Sequence, residues 1–157
     1  GRELFDAARL YIDIEEGRIS VLERHQVPKG VKLELVSEHG VETVPVRVEG
    51  GEWLRATFDL GNGSQVLIGA ALANRRHLLS DGRKVVTERG GGLGGETDRQ
   101  VFELRSLEIA GRTLTQVAAT VDPNATASDV NVGVSVLRHF RITTDFSQHA
   151  VWLEPRP

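Results

Sequence analysis

The sequence predicts a mainly β fold, a closed β-barrel carrying two short helices, and three observations predict it. Apolar residues recur at every second position in short runs, turn residues separate those runs, and only two stretches carry a helical pattern. Glycine is abundant, at 17 of 157 residues, where about 7% is usual. Short strands broken by frequent turns belong to closed or sandwiched β architectures.

The elements follow in chain order. Val31, Leu33 and Leu35 alternate with Lys32 and Glu34, and Val44, Val46 and Val48 alternate with Pro45 and Arg47. Leu54, Ala56 and Phe58 alternate with Arg55 and Thr57; Phe102 and Leu104 flank Glu103, and Leu107 and Ile109 flank Glu108. Each run fits a half-buried strand. Turns fall at Pro28-Lys29-Gly30, His39-Gly40, Gly50-Gly51, Asp81-Gly82 and Ala110-Gly111. Helices are expected over 69–77 and, for a turn or two, over 134–140.

The two ends share a pattern. Residues 9–21 can be laid on 141–153, with Arg9 on Arg141 and Asp13 on Asp145. The apolar pairs are Leu10/Ile142, Ile14/Phe146, Ile19/Val151 and Val21/Leu153. Either this is the likeness any two β-hairpins share, or residues 1–24 are the tail of a preceding copy of the same fold. The chain therefore divides into a terminal strand segment, 1–24, and a β-barrel domain, 25–157.

Composition bounds the function classes. The length, 157 residues, suits one core, which at this size buries roughly 68–70% of the unfolded surface. The absence of cysteine excludes a disulfide scaffold, Cys-ligated zinc and thiol catalysis. Nineteen Lys and Arg against 22 Asp and Glu, a net charge of −3, argue against a nucleic-acid partner. No apolar run nears the ~20 residues of a membrane helix, so no membrane partner is expected. No signal peptide is visible, and the compartment stays open between periplasm and cytoplasm. Met is missing even at position 1, which reads as an excised segment whose natural start lies upstream.

Three segments carry candidate chemistry. In residues 53–68 an apolar strand runs into Asp59, then Leu60, Gly61, Asn62 and Gly63, before Val66-Leu67-Ile68 resume. A carboxylate at the end of a buried strand, followed by a glycine turn, sits on rigid backbone with restricted solvent and suits acid–base work. The same spacing also suits an Asx turn, in which Asp59 and Asn62 bond nearby backbone N–H groups. The second segment holds Gly90, Gly91, Gly92, Leu93, Gly94 and Gly95. Its formal G-x-G-x-x-G is followed by a strand pattern instead of a helix, so a dinucleotide loop is excluded by context. A hairpin with a mobile glycine tip, or a disordered surface loop, fits instead. The third, residues 130–140, is a strand–turn–helix junction around Asn131, Val132 and Gly133.

Other sites fare badly. The five histidines lack ligand spacing, and the oxygen-rich stretch 122–129 has Ala127 and Gly133 where a calcium loop needs Gly and Glu. Ser64 and Ser135 have no elbow motif. Neither a metal nor another cofactor is expected.

Taken in order, the three segments resemble the retropepsin-like aspartic proteases, of the single-domain or tandem-domain type found in bacteria. The resemblance covers roughly residues 41–155. It implies a pepsin-like lobe in which Asp59-Leu60-Gly61 stands at the catalytic motif and Gly90 to Gly95 form a flap over substrate. Asn131, Val132 and Gly133 then stand at the second loop, and 141–153 at the closing hairpin. The family's motif carries Thr or Ser where this chain has Leu60, and that hydroxyl braces the catalytic loops. Here the brace is absent or replaced, with Asn62 and Ser64 the polar candidates. Aspartic proteolysis needs two carboxylates sharing a proton across a water, and this chain has one Asp-x-Gly. The resemblance therefore implies a second lobe, from a homodimer or a preceding repeat, and a peptide or protein substrate. In a homodimer, strands at 10–14 and 151–153 would build a shared or exchanged sheet. Three functions stay open: an aspartic endopeptidase, a catalytically impaired lobe that binds peptide or serves assembly, and a small β-barrel that binds an apolar ligand and gives Asp59 no role.

Overall fold

A computed structural model of the chain describes residues 1–92, 95–124 and 126–157. Helix α1 (Arg2–Ala7) leads into the hairpin β1 (Leu10–Asp13) and β2 (Arg18–Val21). Then come β3 (Val31–Glu34), β4 (Val36–Glu38), β5 (Val41–Val48), β6 (Trp53–Phe58), β7 (Val66–Gly69) and α2 (Ala70–Arg75). The long strands β8 (Val86–Gly92), β9 (Gly95–Ile109) and β10 (Arg112–Asp122) precede β11 (Val130–Val132) and α3 (Val134–Leu137). The chain closes with β12 (Phe140–Asp145), a 3-10 turn (Phe146–Gln148) and β13 (Ala150–Pro155).

These strands make two sheets. Five lie in the order β2-β1-β12-β13-β3, and eight in the order β4-β5-β6-β11-β7-β10-β9-β8. Strand β5 also pairs with β9 through Arg47↔Glu108 and Val48↔Leu107, so the larger sheet curls back on itself. The fold is mainly β, as the alternation requires: Val44, Val46, Val48, Ala56, Leu104, Leu107 and Ile109 are all fully buried.

The break between the Phe102/Leu104 and Leu107/Ile109 runs has a structural cause. One strand, β9, covers both, and its inward face changes phase across Arg105 and Ser106. The facing strand β10 changes phase at the same level, where Gln116 takes φ +53°. The turns at His39-Gly40, Glu49-Gly50 and Ala110-Gly111 have positive φ at both residues, the geometry whose twist matches a tight hairpin.

There are three helices among the described residues, not two. The segment expected to be strand begins with α1, because Arg2, Glu3, Leu4, Asp6 and Ala7 include no β-branched residue. An Arg2–Asp6 pair at 3.6 Å spans one turn of it. The second expected helix is shorter than its pattern, since Phe140 already opens β12. The terminal strands lie in the five-stranded sheet, where β1 and β12 pair within the chain: Leu10 faces Thr144, Tyr11 faces Thr143 and Asp13 faces Arg141.

Candidate functional site

The site is made where two parallel strands end together. β11 lies between β6 and β7, with Val132 beside Phe58. The Asp59 N–H donates to the Val132 carbonyl at 3.0 Å, so the loop after β6 and the loop after β11 leave the sheet side by side. Asn131 and Gly133 are thereby brought to Asp59 from a segment some seventy residues away. Gly133 is required there. A Cβ at this position would run into the Asn62 carbonyl and side chain, and that same carbonyl accepts the Val134 N–H at 2.9 Å.

Both oxygens of Asp59 are held. Gly61 N–H donates to Oδ1 at 2.9 Å, the Asx turn of the sequence reading, and Asn131 Nδ2 donates to Oδ2 at 3.0 Å. Asn131 is fixed in turn, its Oδ1 accepting from Asn62 Nδ2 at 2.9 Å. Asn62 also donates to the Gln65 carbonyl at 3.2 Å and accepts from the Ser64 N–H and hydroxyl at 3.0 and 3.1 Å. A chain of amides thus runs from Ser64 through Asn62 and Asn131 to the carboxylate. Just inside, the Thr57 hydroxyl donates to Ser128 Oγ at 3.0 Å, tying β6 to the segment that feeds β11.

Leu60 takes no part in this network. It is half-buried and packs on the apolar core. Asp59, Leu60 and Gly61 line a groove of about 500 Å³ with Phe58, Thr57, Gly40, Val41 and Glu42. Its other wall comes from α1 and the closing hairpin: Arg2, Phe5 and Phe146. The Phe5 and Phe146 rings stack with centroids 5.3 Å apart. Arg2 donates to the Gly40 carbonyl at 2.8 Å and to Glu42 Oε1 at 2.9 Å. Sequence reading missed these three residues, because it took the first segment as strand and so had no helix to lay against the loop. A second, more polar groove on the other side of Asp59 is lined by Trp53, Arg55, Ser128, Asp129 and Asn131, among others.

The glycine-rich segment is a hairpin arm. β8 and β9 pair antiparallel from Val86↔Val101 to Gly92↔Gly95, while its tip residues Leu93 and Gly94 lie outside the described residues. Of this arm, Gly90 and Gly95 are not among the described residues that line the two grooves at Asp59. Among the described residues no three His, Asp or Glu side chains gather as a metal site.

No family model matches the chain, and no curated protein matches its sequence. Among solved structures it is similar to a retropepsin-like aspartic protease from Rickettsia conorii. The TM-score is 0.61 at 16% identity, over 78% of this chain and 88% of that one. At that identity the likeness is one of fold: this chain has a retropepsin-like architecture.

Proposed function

We propose that the chain is one lobe of an aspartic-type endopeptidase, with Asp59 as its catalytic carboxylate. The observation that carries this reading is the hold on Asp59. On a retropepsin-like fold, its two oxygens are each fixed by one donor, at the mouth of an apolar groove. Fixed donors orient a carboxylate toward one position in space, which is what activation of a single water needs. The mechanism takes two carboxylates. One, ionised, accepts a proton from the water as the water's oxygen attacks the peptide carbon. The other, protonated, donates toward the carbonyl oxygen, and like charges this close stay one proton short of full ionisation. Asp59 supplies one member, and a second lobe supplies the other. On this reading the curled eight-stranded sheet is the closed barrel of such a lobe. The β8–β9 hairpin is its flap, adding backbone hydrogen bonds to an extended peptide once a substrate draws it in.

The test is peptide hydrolysis by the two-lobe assembly. Asp59→Asn keeps shape and removes the ionisable group, so turnover should fall to background; retained turnover would falsify the assignment. A second reading, a lobe that binds peptide or serves assembly without cleaving, is favoured by Leu60, which offers neither donor nor acceptor beside Asp59. Leu60→Thr separates the two. A rise in kcat with unchanged peptide affinity supports a protease limited by the missing hydroxyl. Unchanged binding with no turnover in either variant supports the binding lobe.

A further inference from the structure

Residues 1–22 and 133–154 repeat one structure. Gly1 and Gly133 each precede a short helix, α1 and α3. Each helix leads into a hairpin of the same register: Leu10 faces Val21 as Ile142 faces Leu153. The turns match bond for bond. Asp13 Oδ1 accepts the Glu16 N–H at 3.1 Å, and Asp145 Oδ1 accepts the Gln148 N–H at 3.2 Å. Gly17 donates to the Ile14 carbonyl as His149 does to that of Phe146, at φ +62° and +51°. The two pieces meet through β1 and β12, and their contact is reciprocal. Arg9 reaches Asp145 at 3.1 Å, while Arg141 lies 3.7 Å from Asp13. Reciprocal contacts between equivalent residues mean a two-fold axis, which here passes beside the Tyr11–Thr143 pair.

What covers the two pieces differs. Val136, Val151 and Leu153 are completely buried, whereas their mates Leu4, Ile19 and Val21 are 49%, 62% and 63% exposed. Beyond β13 the sheet continues into β3, while β2 ends it on the other side. The second piece has a lobe packed on it; the first has the same apolar face and, among the described residues, no such cover.

We propose that residues 1–22 close a preceding copy of this lobe in the same polypeptide, which covers Leu4, Ile19 and Val21 and brings its own Asp-x-Gly loop to the axis beside Leu60. Symmetry locates that loop. Arg2 and Phe146 line the groove at Asp59. Their mates Val134 and Ile14 line a separate, mostly apolar pocket together with Phe5, Ile12, Ile19 and Leu60. The preceding copy's loop stands against Val134 and Ile14 as the Asp59 loop stands against Arg2 and Phe146. Leu60 then meets it by apolar packing, where a hydroxyl would have exchanged hydrogen bonds. The position of the second loop rests on the reading of Asp59 above; the cover over Leu4, Ile19 and Val21 does not.

Two measurements test this. The coding sequence upstream of Gly1 should hold an Asp-x-Gly about 74 residues before it, the interval from Asp59 to Gly133. Ile19→Lys should leave the melting temperature of the 157-residue chain unchanged and lower that of the protein from its natural start by about 5 °C or more. If the longer variant fails to fold while the shorter one folds, that also supports the cover, and Ile19→Ala should then give a smaller drop. Equal melting behaviour in both lengths, or no upstream Asp-x-Gly, would overturn the proposal. So would a dimer of the 157-residue chain that Ile19→Lys dissociates, because the cover would then be a second chain. Neither readout is peptide hydrolysis, so an inactive protease leaves the proposal standing, and its failure leaves Asp59 untouched.

Discussion

Asp59 has both oxygens engaged within its own chain, and the amide that engages the second comes from another strand. Asn131 is therefore the residue on which the orientation of the carboxylate turns. Asn131→Leu removes the donor to Asp59 Oδ2 and the acceptor for Asn62 at once. Asn62 keeps the Gln65 carbonyl and Asp59 keeps the Gly61 N–H, so the loss is that of two part-buried hydrogen bonds, about 1 kcal/mol each. We expect thermal unfolding several degrees lower and, if turnover is present, a loss in kcat larger than any change in KM. Asn131→Asp, which keeps the acceptor and loses the donor, should reproduce the kinetic defect. Little of this was legible beforehand. The Asx turn at Asp59 and Gly61 is local and follows from spacing. The amide relay joins residues far apart in sequence, and only the parallel pairing of β6 with β11 brings them together.

Among elements, strands were the most readable, because a period of two survives wherever one face is buried. Helix α1 was not, since six residues give too few turns for a 3.6 period to stand out from the hairpin beside it. Extending the terminal repeat from Arg9 and Arg141 back to Gly1 and Gly133 would have exposed it. The base of the β8–β9 hairpin was equally hidden. There Arg83 donates to Glu49 through its two terminal guanidinium nitrogens at 2.7 and 2.8 Å, to Asp81 at 2.6 Å and to the Glu103 carbonyl at 3.0 Å. Its side chain is nearly buried over the Phe102 ring. The hydrogen bonds from Arg83, aided by its charge, hold the Glu49 and Asp81 carboxyls below the usual range, and the same bonds raise the guanidinium. Arg83→Met should lower stability by about 3 kcal/mol, because it leaves Glu49 without its counter-charge. Denaturant unfolding measures it, and a shift under 0.5 kcal/mol would mean that the pair does not anchor the hairpin.

At the scale of the whole molecule, carboxylates with arginine partners tie its ends together. Arg156 hydrogen-bonds the buried Asp13 and holds its carboxyl below the usual range. Burial alone would raise Asp145, but hydrogen bonds from Ser147 and Arg9 and the charge of Arg24 outweigh it. A carboxyl lowered by folding stabilises the native state above its unfolded value of about 4, and that contribution is lost as pH falls through the lower native value. The melting temperature should therefore be level from pH 7 to 5 and fall steadily below 4; a level profile down to pH 2.5 would show that these pairs contribute nothing. The same sheet also sets the order of events during synthesis. Arg9 and Asp145 are 136 positions apart, so the β1–β2 hairpin leaves the ribosome long before the strand that receives it. Until β12 emerges, β1 lacks the strand that pairs with it along Leu10–Asp13, and a nascent chain halted before residue 140 offers that open edge to proteases and chaperones. The later strands are the ones that fasten the earlier.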